Sequence, residues 1–338
     1  AWNGVPEEKL DNDPQKLIDH YFINKGDLYK SKEDSINLFN SDRRYNYYTY
    51  PNQVDNYRQT HIQLIESWSP SVDWKTKFTL FYTKGKGYFE EFKPNAKWSG
   101  YGINPIIGDD GSTINRSDIV RRRWLNNYLI GLRGDAIYKV NENADLHLGI
   151  SGYVYDGDHY GQVIKSSIAI PNLDKERKYY DNTGMKRDIS TYMRWSQRIQ
   201  KKWSLFGDVQ LRYISHDIIG IDKNLRALDI SNQYLFFNPK AGVQYLISSN
   251  QQVYLSYAIA NKEPSRGDFI DNIIVVKAKP EHLRDTEIGY QWNNSVIRFE
   301  TNIYYMKYRD QLVLTGELNE VGANIRVNVP DSYRLGWE

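Results

Sequence analysis

Residues 286–305 read TEIGYQWNNSVIRFETNIYY, and the type of fold can be inferred from this segment. From Ile297 to Tyr305 the odd positions carry Ile, Phe, Thr, Ile and Tyr, whereas the even positions carry Arg, Glu, Asn and Tyr. Side chains alternate between the two faces of a strand, so one face of this segment is apolar and the other is wet. Thr286–Trp292 alternate in the same way, and only a few polar residues separate the two halves. The stretch therefore predicts a tight antiparallel hairpin.

The same alternation recurs along the chain and predicts a succession of hairpins that ends in a single strand. Residues 1–56 lack a sustained period and are predicted to form a long extracellular loop that leads into the strands. The predicted strand pairs are Tyr57–Trp68 with Asp73–Tyr88, Trp124–Val140 with Ala144–Tyr155, Arg187–Ile199 with Trp203–His216, Asn238–Ile247 with Gln251–Asn261, and the hairpin above, followed by Ile325–Gly336.

The lengths of the connections separate two all-β architectures. Short turns within the hairpins alternate with long connections near 89–123, 156–186, 217–237, 262–283 and 313–324. Strict alternation places all short turns at one rim of an up-and-down barrel and all long loops at the other, as in bacterial outer-membrane barrels. A soluble β-sandwich shares the strand pattern and is the competing interpretation. It requires Trp203, Leu205, Val209 and Leu211 to face a dry core, whereas a barrel turns them outward.

The prediction is an all-β, antiparallel up-and-down transmembrane β-barrel that is partial, with about eleven strands. The apolar row from Trp203 to Tyr213 has the length of roughly 9–11 residues that a tilted strand needs to cross a bilayer. Because hydrocarbon does not tolerate an open sheet edge, the wall must be completed by strands outside this sequence or by associated copies. We favour strands outside this sequence.

Composition excludes several functional classes. The net charge is +2, which argues against a nucleic-acid partner, and the absence of Cys excludes thiolate metal sites and cysteine nucleophiles. No apolar run is long enough for a transmembrane helix. The 28 Tyr and nine Trp suit the aromatic girdles of membrane barrels. We find no GxSxG, phosphate loop or paired-His motif, so no enzymatic activity is predicted.

Several segments resemble the barrel of TonB-dependent outer-membrane receptors, especially those of Bacteroidetes-type bacteria. The two most specific segments are YAIANKEPSRGDF (257–269) and YYMKYRDQLVLTGELNEVGANIRVNVPDSYRLGWE (304–338). The others are YTKGKGYFEEF (82–92), RRRWLNN (121–127), DGDHYGQV (156–163), YLFFNPKAG (234–242) and KPEHLRDTEIGYQW (279–292).

The resemblance implies that residues 1–338 are part of a 22-stranded barrel in the bacterial outer membrane. Such receptors carry an N-terminal plug domain, through which the energy-coupling protein TonB drives uptake of a scarce large ligand. A siderophore–iron complex, cobalamin or haem is the expected ligand class. No plug is recognisable in this sequence, so the interaction with TonB is expected through a part absent from this chain. Outer-membrane lipid and lipopolysaccharide are the other expected partners. A passive porin and a soluble carbohydrate-binding β-sandwich are the alternative functions.

Candidate ligand-binding residues are aromatic and basic side chains in the predicted long loops. Arginines offer bidentate donors to carboxylate or phosphate groups, and aromatic rings give apolar contact. An anionic ferric chelate or a phosphate-bearing cofactor would suit that combination. The competing interpretation is that the aromatics pack within the loop and the arginines pair with acids or lipopolysaccharide phosphates. His159 could also bind metal or haem, but a loop-stabilising role is favoured because no paired-His spacing supports it. The predicted substrate-binding residues are Trp98, Tyr101, Arg121, Arg122, Arg123, His159 and Tyr160, with no metal ligands and no cofactor.

Overall fold

The chain folds around one large antiparallel sheet whose strands follow the order of the sequence. A computed structural model describes Ile36, Asn40 and residues 50–171, 173–270, 278–318 and 324–338. Most of the predicted loop at 1–56 therefore lies outside the described residues, and its last two positions already belong to the first strand. None of the described helices is long and apolar enough to cross a membrane.

Thirteen strands are present in the described residues, and eleven of them form the main sheet. The remaining two, β3 and β4, pair with each other in the connection between β2 and β5. The strands are β1 (Asp55–Ser71), β2 (Trp74–Lys97), β3 (Ile106–Ile107), β4 (Thr113–Ile114), β5 (Arg116–Asn141), β6 (Ala144–Ser166), β7 (Lys178–Ile199), β8 (Trp203–Ile221), β9 (Ala227–Ser248), β10 (Gln251–Lys262), β11 (Glu281–Asn293), β12 (Arg298–Leu318) and β13 (Asn324–Trp337). A 3-10 turn spans Trp98–Tyr101, and a short helix, α1, spans Arg266–Ile270.

The sheet is an up-and-down meander that forms the wall of a partial barrel. Each long strand pairs with its neighbour in sequence, from β1 to β13, so the five predicted hairpins and the final strand are confirmed. The hairpin turns are short, for example two residues at 142–143 between β5 and β6. The hairpin turns follow β1, β5, β7, β9 and β11. These strands run in the same direction in the meander, so the hairpin turns lie at the same rim.

The outer face of the sheet is an apolar belt, which rules out the sandwich. Leu205 on β8 is 38% exposed and Ile303 on β12 is 54% exposed, so neither side chain is sealed in a two-layer core. The alternate residues of β8, from Ser204 to Arg212, face the inside of the wall and are half-buried and mostly polar. Apolar side chains directed away from the concave interior are expected where a barrel wall meets lipid.

The strands extend well beyond the predicted bounds, which corrects the expected loops. The predicted connection 89–123 contains the end of β2 and the start of β5, so only residues 98–115 connect these strands. The predicted connection 217–237 is wrong in length, because β8 and β9 are joined by the turn Asp222–Arg226 alone. One short turn therefore lies at the rim of the long connections, and the strict alternation of short and long links does not hold there. Beyond the belt both faces of the sheet meet water or protein, so polarity stops alternating while backbone pairing continues.

Candidate functional site

The predicted ligand-binding residues lie where β2, β5, β6 and β7 continue beyond the belt on the side of the long connections. Arg121, Arg122 and Arg123 belong to β5, whereas His159 and Tyr160 belong to β6. These five residues are therefore in strands, whereas the prediction had placed them in loops. Since adjacent residues of a strand face opposite sides, the set is divided between the inside and the outside of the wall.

Trp98 and Tyr101 form the packed base of the connection between β2 and β5. Trp98 is fully buried and its indole Nε1 donates to Ser117 Oγ at 2.8 Å. Tyr101 is 8% exposed and packs edge-on against Tyr179, with ring centroids 4.9 Å apart. These contacts hold the connection against the inner face of β5–β7. A direct contact with ligand stays a prediction for both residues.

Arg121 is held by an acid on the neighbouring strand. Its Nε and Nη2 donate to Glu91 Oε2 at 2.9 and 2.7 Å, and its Nη1 donates to the Tyr101 hydroxyl at 3.3 Å. Burial opposes ionisation of Glu91, but the charges of Arg121 and Lys93 outweigh burial and hold the pKa of that carboxyl below its usual value. The Arg121 guanidinium therefore links the connection that contains Tyr101 to β2 and β5.

Arg122 and Tyr160 face outward, away from the other candidates. Arg122 Nε donates to Glu90 Oε2 at 2.8 Å, and its guanidinium lies 4.2 Å from the centroid of the Tyr88 ring. Tyr160 stacks on Trp124 at 5.8 Å. The structure thus separates Tyr160 from His159 and Arg122 from Arg121 and Arg123.

Arg123 and His159 line an inward-facing cavity of about 400 Å³. The Arg123 guanidinium lies 5.8 Å from the Phe89 ring centroid, and no carboxylate among the described residues is within ion-pair distance of it. The other walls come from β7, from the turn between β8 and β9, and from α1. The complete lining is Phe89, Arg123, Trp124, Leu125, His159, Tyr180, Asn182, Asp222, Lys223, Arg266, Gly267 and Ile270.

The cavity has a cationic character. Arg123, Lys223 and Arg266 contribute positive side chains, and the acid in the lining, Asp222, is already bound by Arg226 at 2.6 Å. His159 is neutral at neutral pH because burial and then the nearby Arg266 lower its pKa to about 4. Arg123 can therefore donate to an anionic group in the cavity, with the neutral imidazole of His159 as a further hydrogen-bonding partner.

Helix α1 closes the cavity from the inside because several strands hold it. Arg226 Nη2 donates to the Ile270 carbonyl at 2.8 Å, and Arg266 donates to Asn182 Oδ1 on β7. On the far side, Arg326 of β13 lies 3.4 Å from the buried carboxylate of Asp268. The helix therefore bridges from β7 to β13 across the concave face.

Glu263, just before α1, ties the segment to the wall. Its carboxylate pairs with Lys186 of β7 at 2.6 Å and with Arg212 of β8 at 3.1 Å. Arg212 also binds Asp188 at 2.6 Å. Arg266 was not among the binding residues predicted from the sequence, although it lies in the segment NKEPSR (261–266). The density of charge in that segment was the one available signal.

The comparisons with known proteins agree with the fold. Residues 8–338 match the family model described as "TonB dependent receptor-like, beta-barrel". No curated protein matches the chain in sequence. Among solved structures, the closed form of the ferric-catecholate import receptor Fiu from E. coli K12 has a TM-score of 0.59 and 14% identity, over 87% of this chain and 46% of that chain.

Two further solved structures show the same architecture. The unliganded ferric citrate transporter FecA gives a TM-score of 0.57 at 13% identity, over 83% of this chain and 38% of that one. The copper transporter OprC gives 0.55 at 11% identity, over 84% and 49%. At these identities the likeness establishes the fold alone. The chain spans less than half the length of each of these three receptors.

The single meandering sheet, its outward apolar belt and these structural likenesses define an outer-membrane β-barrel wall. The family match across nearly the whole sequence is more specific: the chain belongs to the TonB-dependent receptor β-barrel family. The protein is accordingly located in the bacterial outer membrane.

Proposed function

We propose that the receptor carrying this chain is an active transporter that takes up a large, scarce, anionic metal chelate. The observation that carries the proposal is the inward cavity at the extracellular end of the wall, where Arg123 lies against Phe89 and has no carboxylate of the described residues within ion-pair distance. A ferric siderophore is favoured over cobalamin or haem because catecholate or carboxylate chelates carry negative charge on their chelating groups, whereas haem is anionic only at its two propionates. The chelated metal is cargo, held through its ligand and not by protein side chains.

The size and chemistry of the cavity support recognition of part of such a chelate. Its volume of about 400 Å³ falls within the roughly 300–1,000 Å³ of small-molecule sites. Arg123 lies against Phe89, so an aromatic chelating group can stack while the guanidinium binds its charge. Arg123 and His159 are our proposed contact residues. Trp98, Tyr101 and Arg121 support them by fixing the neighbouring connection.

The names of the similar structures point in the same direction. Two of the three are receptors or transporters of ferric chelates by their printed names, and the third is a copper transporter. Energy for uptake would come from TonB acting through a plug domain of the whole receptor. On this proposal the chain supplies binding and passage, with no covalent chemistry.

Uptake of radioactive iron by cells that express the whole receptor tests the proposal. Ferric citrate and a ferric tricatecholate serve as probes, and Arg123→Gln is the test variant. Loss of a charge-assisted hydrogen bond of about 1.5–3 kcal/mol predicts a drop in affinity of roughly 10- to 100-fold. Arg133→Gln is the matched control, because Arg133 lies on the same face of β5 and is paired with Asp135 at 3.0 Å, far from the cavity.

The outcome separates the proposal from its alternatives. Equal uptake by wild type and Arg123→Gln for both chelates would remove the cavity from the binding site. Uptake that continues in cells lacking TonB would favour the passive porin. Selective binding of haem or cobalamin, with no binding of either ferric chelate, would keep the receptor and reject the chelate class.

A further inference from the structure

Three of the four residues directly below the chelate cavity, which Arg123 and His159 line, are glycines. The lowest cavity residues on β6 and β7 are His159 and Asn182, which pair in the register of these strands. Two residues closer to the membrane, on the same inner face of β2, β5, β6 and β7, the next row consists of Gly85, Asn127, Gly157 and Gly184. The backbone at this level is therefore open to side chains that approach it closely.

Polar side chains lie over two of these glycines. A Cβ added at Gly157 would overlap the hydroxyl and the ring of Tyr155 on the same strand. A Cβ added at Gly184 would lie 2.5 Å from Nη1 and 3.6 Å from Cζ of Arg266. Tyr155 belongs to the wall itself, whereas Arg266 belongs to α1. Gly184 is therefore a point at which a side chain of the helix lies directly on the backbone of the wall.

The Arg266 guanidinium forms the floor of the cavity. It lines the cavity, its Nη2 donates to Asn182 Oδ1, and its Nη1 is buried. Asn182 is the lowest cavity residue of β7, and Gly184 is the next inner residue below it. Lys186, the inner residue after Gly184, is already paired with Glu263 below the cavity. The position of the guanidinium therefore fixes how deep the cavity is.

Alanine at position 184 would conflict with Arg266 alone. In the part of the chain that the structure describes, and apart from the chain neighbours of Gly184, only Arg266 lies within 4 Å of the added Cβ. The φ angle of Gly184 is not positive, so its backbone accepts a side chain. To reach an ordinary contact of roughly 3.5 Å, the guanidinium would have to move about 1 Å away from β7.

We infer that Gly184 is a specificity-determining residue, because its missing side chain lets the Arg266 guanidinium lie against β7 and thereby sets the size of chelate that the cavity accepts. Gly184 acts through Arg266, so it positions a cavity residue and does not itself contact the ligand. The chelate as ligand rests on the proposed function, whereas the placement of Arg266 does not. A side chain at 184 would lift the floor into the space between β7 and α1 and make the cavity too shallow for a bulky ligand.

Binding of two ferric chelates of different size to the purified whole receptor tests the inference. Gly184→Ala should weaken binding of a bulky ferric tricatecholate about tenfold, which is the lower end of what one methylene of misfit costs in a pocket. Binding of the smaller ferric citrate should weaken by less than about twofold. In an Arg266→Ala background the same substitution should change neither affinity, because the two residues act as one unit.

Gly207→Ala on β8 is the matched control, because a Cβ at that position meets open space. It should bind both chelates like the wild type, and the gel mobility of the unheated sample reports that each variant is folded. Equal weakening of both chelates by Gly184→Ala would overturn the inference and leave the proposed function standing. A loss that persists in the Arg266→Ala background would overturn it in the same way.

Modification of Arg266 by phenylglyoxal, followed by mass spectrometry of its peptide, reports the position of the guanidinium without any ligand. The reaction should be slow in the wild type, because the wall covers Nη1 and Asn182 binds Nη2. Gly184→Ala should accelerate it several-fold, and Gly207→Ala should not. A wild-type receptor that binds neither chelate would reject the proposed function, and faster modification in Gly184→Ala would still support the placement of Arg266 by Gly184. Unchanged modification in the folded Gly184→Ala variant would overturn the inference whether or not chelates bind.

Discussion

Separate replacement of Arg121 and Arg123 will distinguish a residue that stabilises the neighbouring connection from a residue that contacts the ligand. Both residues face inward on β5, yet only Arg121 forks onto Glu91, in a pair whose side chains are 16% and 8% exposed. Breaking a buried ion pair costs about 3–5 kcal/mol. Lys93 stays paired with Glu91 and reduces the charge left uncompensated. We therefore expect Arg121→Gln to destabilise the neighbouring connection by about 2 kcal/mol.

Hydrogen exchange in peptides from 98–115 measures this effect locally, because the membrane-embedded strands would dominate a global melting curve. A loss of about 2 kcal/mol makes local opening roughly 30-fold more frequent, whereas Arg123→Gln should leave exchange unchanged. Adding Glu91→Gln to Arg121→Gln should restore part of the protection, because no buried charge is then left alone. Equal exchange in wild type and Arg121→Gln, or equal acceleration by both single variants, would refute this division of roles.

Three further changes test other parts of the wall. The pKa of His159 is lowered from 6.5 to about 4. Between these two pH values His159 is protonated in the unfolded chain but neutral in the folded chain. Stability should fall by up to roughly 3 kcal/mol as the pH drops from about 6.5 to about 4, and His159→Asn should flatten that part of a pH–unfolding curve. Trp98→Ala empties a fully buried site and should cost about 3–5 kcal/mol, seen as protease cleavage within 98–115 that the wild type resists. Leu205→Arg should cost about 2–4 kcal/mol on the lipid face and lower the yield of folded barrel, while Ser204→Arg on the wet face should not.

The part of the wall that lipid covers could be predicted from the sequence. The row from Trp203 to Tyr213 alternates because one face of β8 meets hydrocarbon and the other meets water, and the structure exposes that row on the outside. Above the belt this contrast is lost. The segment RSDIVRRR (116–123) carries charges on both faces, so it was predicted as part of a loop although its backbone pairs on both sides.

The site depended on relations between distant segments. Glu90 and Glu91 lie opposite Arg122 and Arg121 in the register of β2 and β5, and this complementarity of charge is visible in the sequence once the strands are aligned. The position of α1 across the concave face has no such signal. It results from contacts of Arg226, Arg266 and Asp268 with strands far away in sequence, which a local pattern does not encode.

The side chains of β5 point alternately to its two faces, so the insertion of an odd number of residues has a different effect from the insertion of an even number. The Arg123 side chain lines the chelate cavity, whereas the Trp124 ring packs against Tyr88 and Tyr160 on the outer face of the wall. One residue inserted between Trp124 and Ile130 would exchange these two destinations for every residue beyond it, since the side-chain period is two. Two inserted residues would lengthen the strand but leave every side chain on its original face. Variation in the height of this wall among related receptors should therefore come in even steps, or be accompanied by a bulge such as the one between Val120 and Arg121.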